Sequence, residues 1–271
     1  MCDLIGGWDC RNKRQDTRDK IEVTMCYDIA YMTQKQEMYQ ERYKVEIYQP
    51  EVLKVYHTTG FDHLDIPVIT GDDPGQIQFF SWGLIPAWVR DPVKAEQMSH
   101  RTLNARGEEM FEKASYKSAA VQRRCLVVVD GFFEHHHKAS KTFPYFIKPK
   151  EDITFTMAGL WEEWRHQDMK RLTCTIVTTE GNGLLSEIHN NPKLKGPRMP
   201  LILDREGEKA WLDDGLDIPE IKDLVKPFSE EQMEAHPVAR LRGKNAGNTN
   251  RPDIWERFSY PELDSEQASL F

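Results

Sequence analysis

The chain has 271 residues, a formal net charge of −8, and a composition 39% hydrophobic, 10% aromatic and 30% charged. That balance fits a folded soluble chain able to bury a sizeable core, and it excludes disordered and fibrous classes. No apolar stretch approaches the ~18 residues of a membrane-spanning helix, which excludes a membrane protein. Five cysteines (Cys2, Cys10, Cys26, Cys125, Cys174) without a Cys-x-x-Cys pair argue against a disulfide framework and fit a reducing cytoplasm.

Residues 1–24 form a polar extension with five basic and five acidic residues and no apolar signal core. The Gln/Glu/Lys-rich stretch Thr33 to Tyr43 predicts an exposed helix. Strand-like runs follow at Gln76–Trp82, Cys125–Val129, Tyr145–Lys148, Thr154–Leu160, Leu172–Thr178 and Pro200–Leu203, punctuated by Gly, Pro, Asp and Asn. Met98–Glu112, Leu184–His189 and Glu208–Leu212 read as helices. Strands outnumber helices without βαβ alternation, so the expectation is one α+β domain over 25–244, with a mainly antiparallel, curved or barrel-like sheet flanked by helices. From residue 245 to 271 a polar tail is expected.

The negative charge is unevenly spread. Between Leu203 and Ala235 eleven acidic residues face four basic ones, which leaves the rest of the chain almost neutral. Basic groups there include Arg90, Arg101 and Arg106; Arg123 and Arg124; Lys193, Lys195 and Arg198; and Arg240, Arg242 and Lys244. They leave room for a groove that takes a phosphate backbone, although solvated surface charge is the plainer reading.

Taken singly, Cys26, Asn104, Glu134, His189 and the Trp82-Gly83-Leu84-Ile85-Pro86 segment each have an ordinary structural explanation. No Gly-rich phosphate loop, nucleophile elbow or His-Glu-x-x-His motif is present. The run His135-His136-His137 suggests a metal, but neighbouring strand residues point to opposite faces, so a solvated run fits better and no metal or other cofactor is expected.

The ordered combination is more specific. Met25-Cys26, Trp82-Gly83-Leu84-Ile85-Pro86, Asn104-Ala105-Arg106, Asp130-Gly131-Phe132-Phe133-Glu134, Ala158-Gly159-Leu160-Trp161-Glu162, His189 and Arg198-Met199-Pro200 resemble the SRAP family of abasic-site processing proteins. The resemblance runs from about Met25 to Leu212. It implies a DNA-damage-response protein that binds abasic sites in single-stranded DNA and links to them covalently through a cysteine exposed as the first residue. Carried over, Cys26 is the nucleophile, Asn104 positions the reacting end, Glu134 is the acid/base and His189 assists ring opening and proton transfer. Trp82 and Arg106 would contact DNA, as would Arg198.

The chemistery is coherent. An α-amine with a pKa near ~7.7–8.0 attacks the open-chain aldehyde, and the thiol of the same residue closes a thiazolidine intramolecularly. Three departures stand out: Cys26 follows a 25-residue stretch, Tyr27-Asp28 replace the family's Gly-Arg, and a loop over 190–197 brings Lys193 and Lys195 toward DNA. Translation from Met25, or processing, would expose Cys26. The end Gln267-Ala268-Ser269-Leu270-Phe271 resembles a sliding-clamp-binding peptide, which makes Gln267, Leu270 and Phe271 candidate contacts. The resulting expectation is a monomeric, nucleoid-associated crosslinking enzyme with lyase side activity. The alternatives are a self-processing cysteine peptidase and a non-catalytic single-stranded DNA and clamp adaptor.

Overall fold

A computed structural model describes residues 27–47, 54–244 and 246–263. The first half runs β1 (Asp28–Tyr31), α1 (Gln36–Tyr43), β2 (Val55–Thr59), β3 (Asp65–Thr70), β4 (Gln78–Trp82), α2 (Pro92–Ser99), β5 (Asn104–Arg106), α3 (Lys117–Gln122), β6 (Arg124–Val129) and β7 (Gly131–Lys138). It continues through β8 (Lys141–Pro149), β9 (Phe155–His166), β10 (Met169–Glu180), α4 (Gly183–Ile188), β11 (Arg198–Pro200), β12 (Ile202–Leu203), α5 (Arg205–Leu212), α6 (Ile218–Asp223) and β13 (Met233–Pro237).

Strand pairing closes a ring. β10 pairs with β4, β4 with β3, β3 with β6, β6 with β9, and β9 with β10 again, so five strands form a barrel. Among the described strands the β10–β4 and β10–β5 pairings are parallel and the others antiparallel, which agrees with the mainly antiparallel α+β expectation. Every residue of β6 is buried, and its apolar run Cys125–Val129 lies in this barrel. Gly159 opposes Cys125, where a Cβ would lie 2.8 Å from the Cys125 sulfur and 2.9 Å from Val127 Cγ2. A second sheet, β13-β8-β7-β1-β2, carries Asp28 on β1 and Glu134 on β7.

Local chemistry sets the helix starts. Asp91 accepts from the Val93 and Lys94 amides ahead of Pro92, Asn182 caps α4, and Asp217 and Glu220 form a capping box on α6. The expected helix at Thr33 to Tyr43 is found as α1, but its Tyr39 is fully buried and donates to Asp130 at 2.6 Å.

One expectation is overturned. Met98–Glu112 is not a helix: α2 ends at Ser99, and Asn104–Arg106 pairs with Ile176–Thr178 of β10, so sheet pairing overrides helical periodicity. Within the expected polar tail, the described residues 246–263 pack against the domain. Ile254 is fully buried, the Trp255 ring stacks on Phe146 at 4.7 Å, and Tyr260 donates to the Val238 carbonyl. Among the described residues no helix is long and apolar enough to cross a membrane.

Candidate active site

Cys26, Gln267, Leu270 and Phe271 lie outside the described residues, as does the extension 1–24. Tyr27, the first described residue, is bonded to Cys26. Tyr27 is buried, its carbonyl accepts from the Gly60 amide at 2.7 Å, and its ring packs on Phe61. β1 pairs antiparallel with β7 through Asp28–Phe133, so one step further along the two strands come Tyr27 and Glu134.

Glu134 and His189 meet. Their carboxylate and Nε2 atoms are 4.0 Å apart, and both side chains are buried. His189 caps the end of α4, and its Nδ1 lies 2.9 Å from the Arg198 carbonyl oxygen and 3.3 Å from the Arg198 amide nitrogen. Nδ1 therefore has an acceptor when protonated and a donor when not, so either tautomer is held in place. Nε2 is left facing Glu134, where it can gain or lose a proton without releasing the ring.

Asn104 stands on the barrel side, opposite Ile176 of β10. It is buried at the start of β5, and its main-chain carbonyl accepts from the Tyr116 hydroxyl at 3.0 Å. Burial, and then the nearby Tyr27, push the Tyr116 phenol well above its ordinary pKa. Tyr27 thus lies near the Tyr116 phenol, which donates to the Asn104 main-chain carbonyl, and beside the strand bearing Glu134, whose carboxylate faces His189.

Other candidates sit differently. Trp82 is 1% exposed and its indole N–H donates to the Leu103 carbonyl at 2.8 Å, so it packs the core and offers no stacking face. Gly83 follows at φ 124°, where a Cβ would lie 2.6 Å from the Ser99 carbonyl oxygen. The exposed tryptophan of that segment is Trp88, at 57% exposure, which the sequence reading passed over. Arg198 is not an open DNA contact either. Its guanidinium is bidentate to Glu108 at 2.8 and 2.9 Å and also donates to the Thr178 carbonyl, fastening the His189 loop across β10. Arg124 is buried and donates to the Trp211 and Asp213 carbonyls. Arg106 is partly exposed and pairs loosely with Glu109, and Lys193 and Lys195 are exposed.

The histidine run is not simply solvated. His136 Nδ1–H donates to the Glu187 carbonyl, and the His137 amide donates to Asn190, which stitches β7 to the α4 loop. Burial lowers the pKa of His135 to about 4. Among the described residues no three His, Cys, Asp or Glu side chains converge as a metal cage requires.

Sequence reasoning also missed Asp28. Its carboxylate is buried, with Arg242 Nη2 at 2.6 Å and His57 Nε2 at 3.3 Å. The only local signal was an acidic residue in an otherwise apolar strand.

The SOS response associated peptidase (SRAP) family matches residues 8–244. The abasic site processing protein YoqW of Bacillus subtilis is 34% identical over 194 residues, covering 70% of this chain and 81% of its own. The abasic site processing protein HMCES of Xenopus tropicalis is 33% identical over 190 residues, covering 62% of this chain and about half (54%) of its own. A crystal structure of a Bacteroides thetaiotaomicron protein superposes with a TM-score of 0.78 at 34% identity, covering 86% of this chain and 100% of that one.

Proposed function

Because the chain belongs to the SOS response associated peptidase (SRAP) family, we propose that it processes abasic sites, capturing the sugar in single-stranded DNA as a covalent adduct through Cys26. The observation that carries this reading is the buried Glu134–His189 pair at 4.0 Å, beside the strand whose chain continues to Cys26.

An abasic deoxyribose in its ring-opened form exposes an aldehyde. With Cys26 as the first residue, its amine adds to that carbon and the adduct loses water, giving a Schiff base. The thiol then adds across the C=N bond, its sulfur bonding to the same carbon and its proton passing to the nitrogen, and a five-membered thiazolidine closes. Ring opening and dehydration both need a proton delivered to oxygen. Glu134 and His189, one water's reach apart, suit that relay. The Schiff base also permits β-elimination at the sugar, so strand cleavage is the expected side reaction.

The exposed Lys193 and Lys195 and the partly exposed Arg106 supply phosphate contacts in this reading. With Trp82 in the core, the stacking side chain of its segment is Trp88. Gln267, Leu270 and Phe271 would dock on the replication sliding clamp. Deleting 267–271 should end clamp binding and leave crosslinking intact.

The test is direct. Protein beginning at Cys26 should give a heat-stable adduct with abasic single-stranded DNA, whereas Cys26→Ser should give one only after borohydride trapping. Glu134→Gln and His189→Ala should slow its formation by about 10²-fold or more, the range for a positioned proton donor. An adduct formed at the wild-type rate by protein with an acetylated first amine would defeat the proposal.

A further inference from the structure

Two residues beyond Cys26, Asp28 puts a buried carboxylate on the face of β1 opposite the one that Tyr27 shares with Glu134. A lone carboxylate there carries a large desolvation cost and would repel any anionic ligand nearby. Two nitrogen-bearing side chains close on it. Arg242 Nη2 donates to Oδ2 at 2.6 Å, and His57 Nε2 lies 3.3 Å from Oδ1. His57 is fixed in turn: its Nδ1 lies 2.8 Å from Thr249 Oγ1, and its ring packs edge-on against Phe133. Burial works to raise the pKa of Asp28, but the His57 contact, Arg242 and His135 together hold it well below the carboxylate range.

The arrangement is asymmetric. Asp28 is 3% exposed, while the Arg242 side chain is 44% exposed and gives the carboxylate one of its nitrogens. The guanidinium therefore keeps N–H donors that the carboxylate does not occupy. Arg240 and Lys244, two residues away on either side, are exposed as well. An unrestrained surface arginine loses side-chain entropy when it meets a ligand. An arginine already tethered to a buried carboxylate has lost much of that freedom beforehand.

We propose that Arg242, held by Asp28, is a backbone-phosphate contact for the strand bound beside Cys26, an anion-binding position built from the C-terminal segment. It rests on the single-stranded DNA reading above. The plainer alternative is that Arg242 only neutralises Asp28.

The two differ in salt dependence. Binding of the full chain to a labelled single-stranded oligonucleotide is measured across a salt series for the wild type, Asp28→Asn, Arg242→Gln and the double variant. The double variant removes the buried charge together with its partner, which keeps a folded comparison if Arg242→Gln alone is unstable. Each phosphate contact on single strands contributes about 0.7 to the slope of log K against log salt. Arg242→Gln and the double variant should lose about that much slope, and Asp28→Asn should keep it. Wild-type slopes in the double variant would overturn the proposal and leave the functional reading standing. Absence of binding by the wild-type chain itself would overturn both.

Discussion

Replacing Glu108 by alanine probes how the His189 loop is held. Glu108 follows β5, and its carboxylate receives both terminal nitrogens of Arg198 from across β10, at 2.8 and 2.9 Å. Arg198 is 10% exposed, so removing Glu108 leaves its guanidinium with Thr178 as its remaining side-chain and carbonyl partner. Hydrogen bonds to charged groups contribute about 1.5–3 kcal/mol each when buried, but Glu108 is 42% exposed, and water replaces part of that. A loss of about 1–2 kcal/mol follows, or about 2–4 °C in Tm per kcal/mol for a domain of this size. A double-mutant cycle with Arg198→Met, read by denaturant unfolding, should give a coupling of about 1 kcal/mol. Additivity to within about 0.3 kcal/mol would refute the pairing. Because the Arg198 carbonyl holds His189 Nδ1, Glu108→Ala should also slow adduct formation at temperatures where the variant is fully folded. An unchanged rate would show that the ion pair does not position His189. Burial alone would raise the Glu108 pKa, yet Arg198 more than offsets it and the net shift is downward. The pair's contribution is therefore present above the ordinary carboxylate pKa and lost as pH falls through the lower folded value, a dependence that Glu108→Ala should flatten.

Three further outcomes are expected. His135 has a folded pKa of about 4 against an ordinary 6.5, so acidification from 6.5 toward 4 protonates the unfolded chain first and stability falls across that window. His135→Gln should remove this loss in denaturant titrations, and matching profiles for the two proteins would contradict the assignment. Trp82→Ala should cost about 3–5 kcal/mol of stability as a core cavity, whereas Trp88→Ala should stay within about 0.5 kcal/mol and weaken binding to single-stranded DNA by about 1–3 kcal/mol. Equal stability losses at the two tryptophans would refute the core placement of Trp82. Replacing Lys193 and Lys195 by alanine should lower the salt slope of DNA binding by about 1.4; an unchanged slope would remove the loop from the interface.

Much of the architecture was legible locally. Apolar runs such as Cys125–Val129 and Leu172–Thr178 are strands because continuous burial needs continuous apolar side chains, and the caps at Asp91, Asn182 and Asp217 act on amides two or three residues away. Asn104, Glu134 and His189 stand out as candidates by motif order alone. Their partners do not. Arg198 looked like a DNA contact until Glu108, 90 residues away, was found against it, and Asp28 had no meaning until Arg242 arrived from 214 residues further along. Asn104–Arg106 resembles part of a helix by periodicity and becomes a strand because β10 offers it a free edge. Trp82 and Trp88 are six positions apart in one segment, and only packing decides which is buried and which meets solvent. Short-range signals travel along the chain, but the company a charge or ring keeps in space depends on which distant segments the barrel brings together.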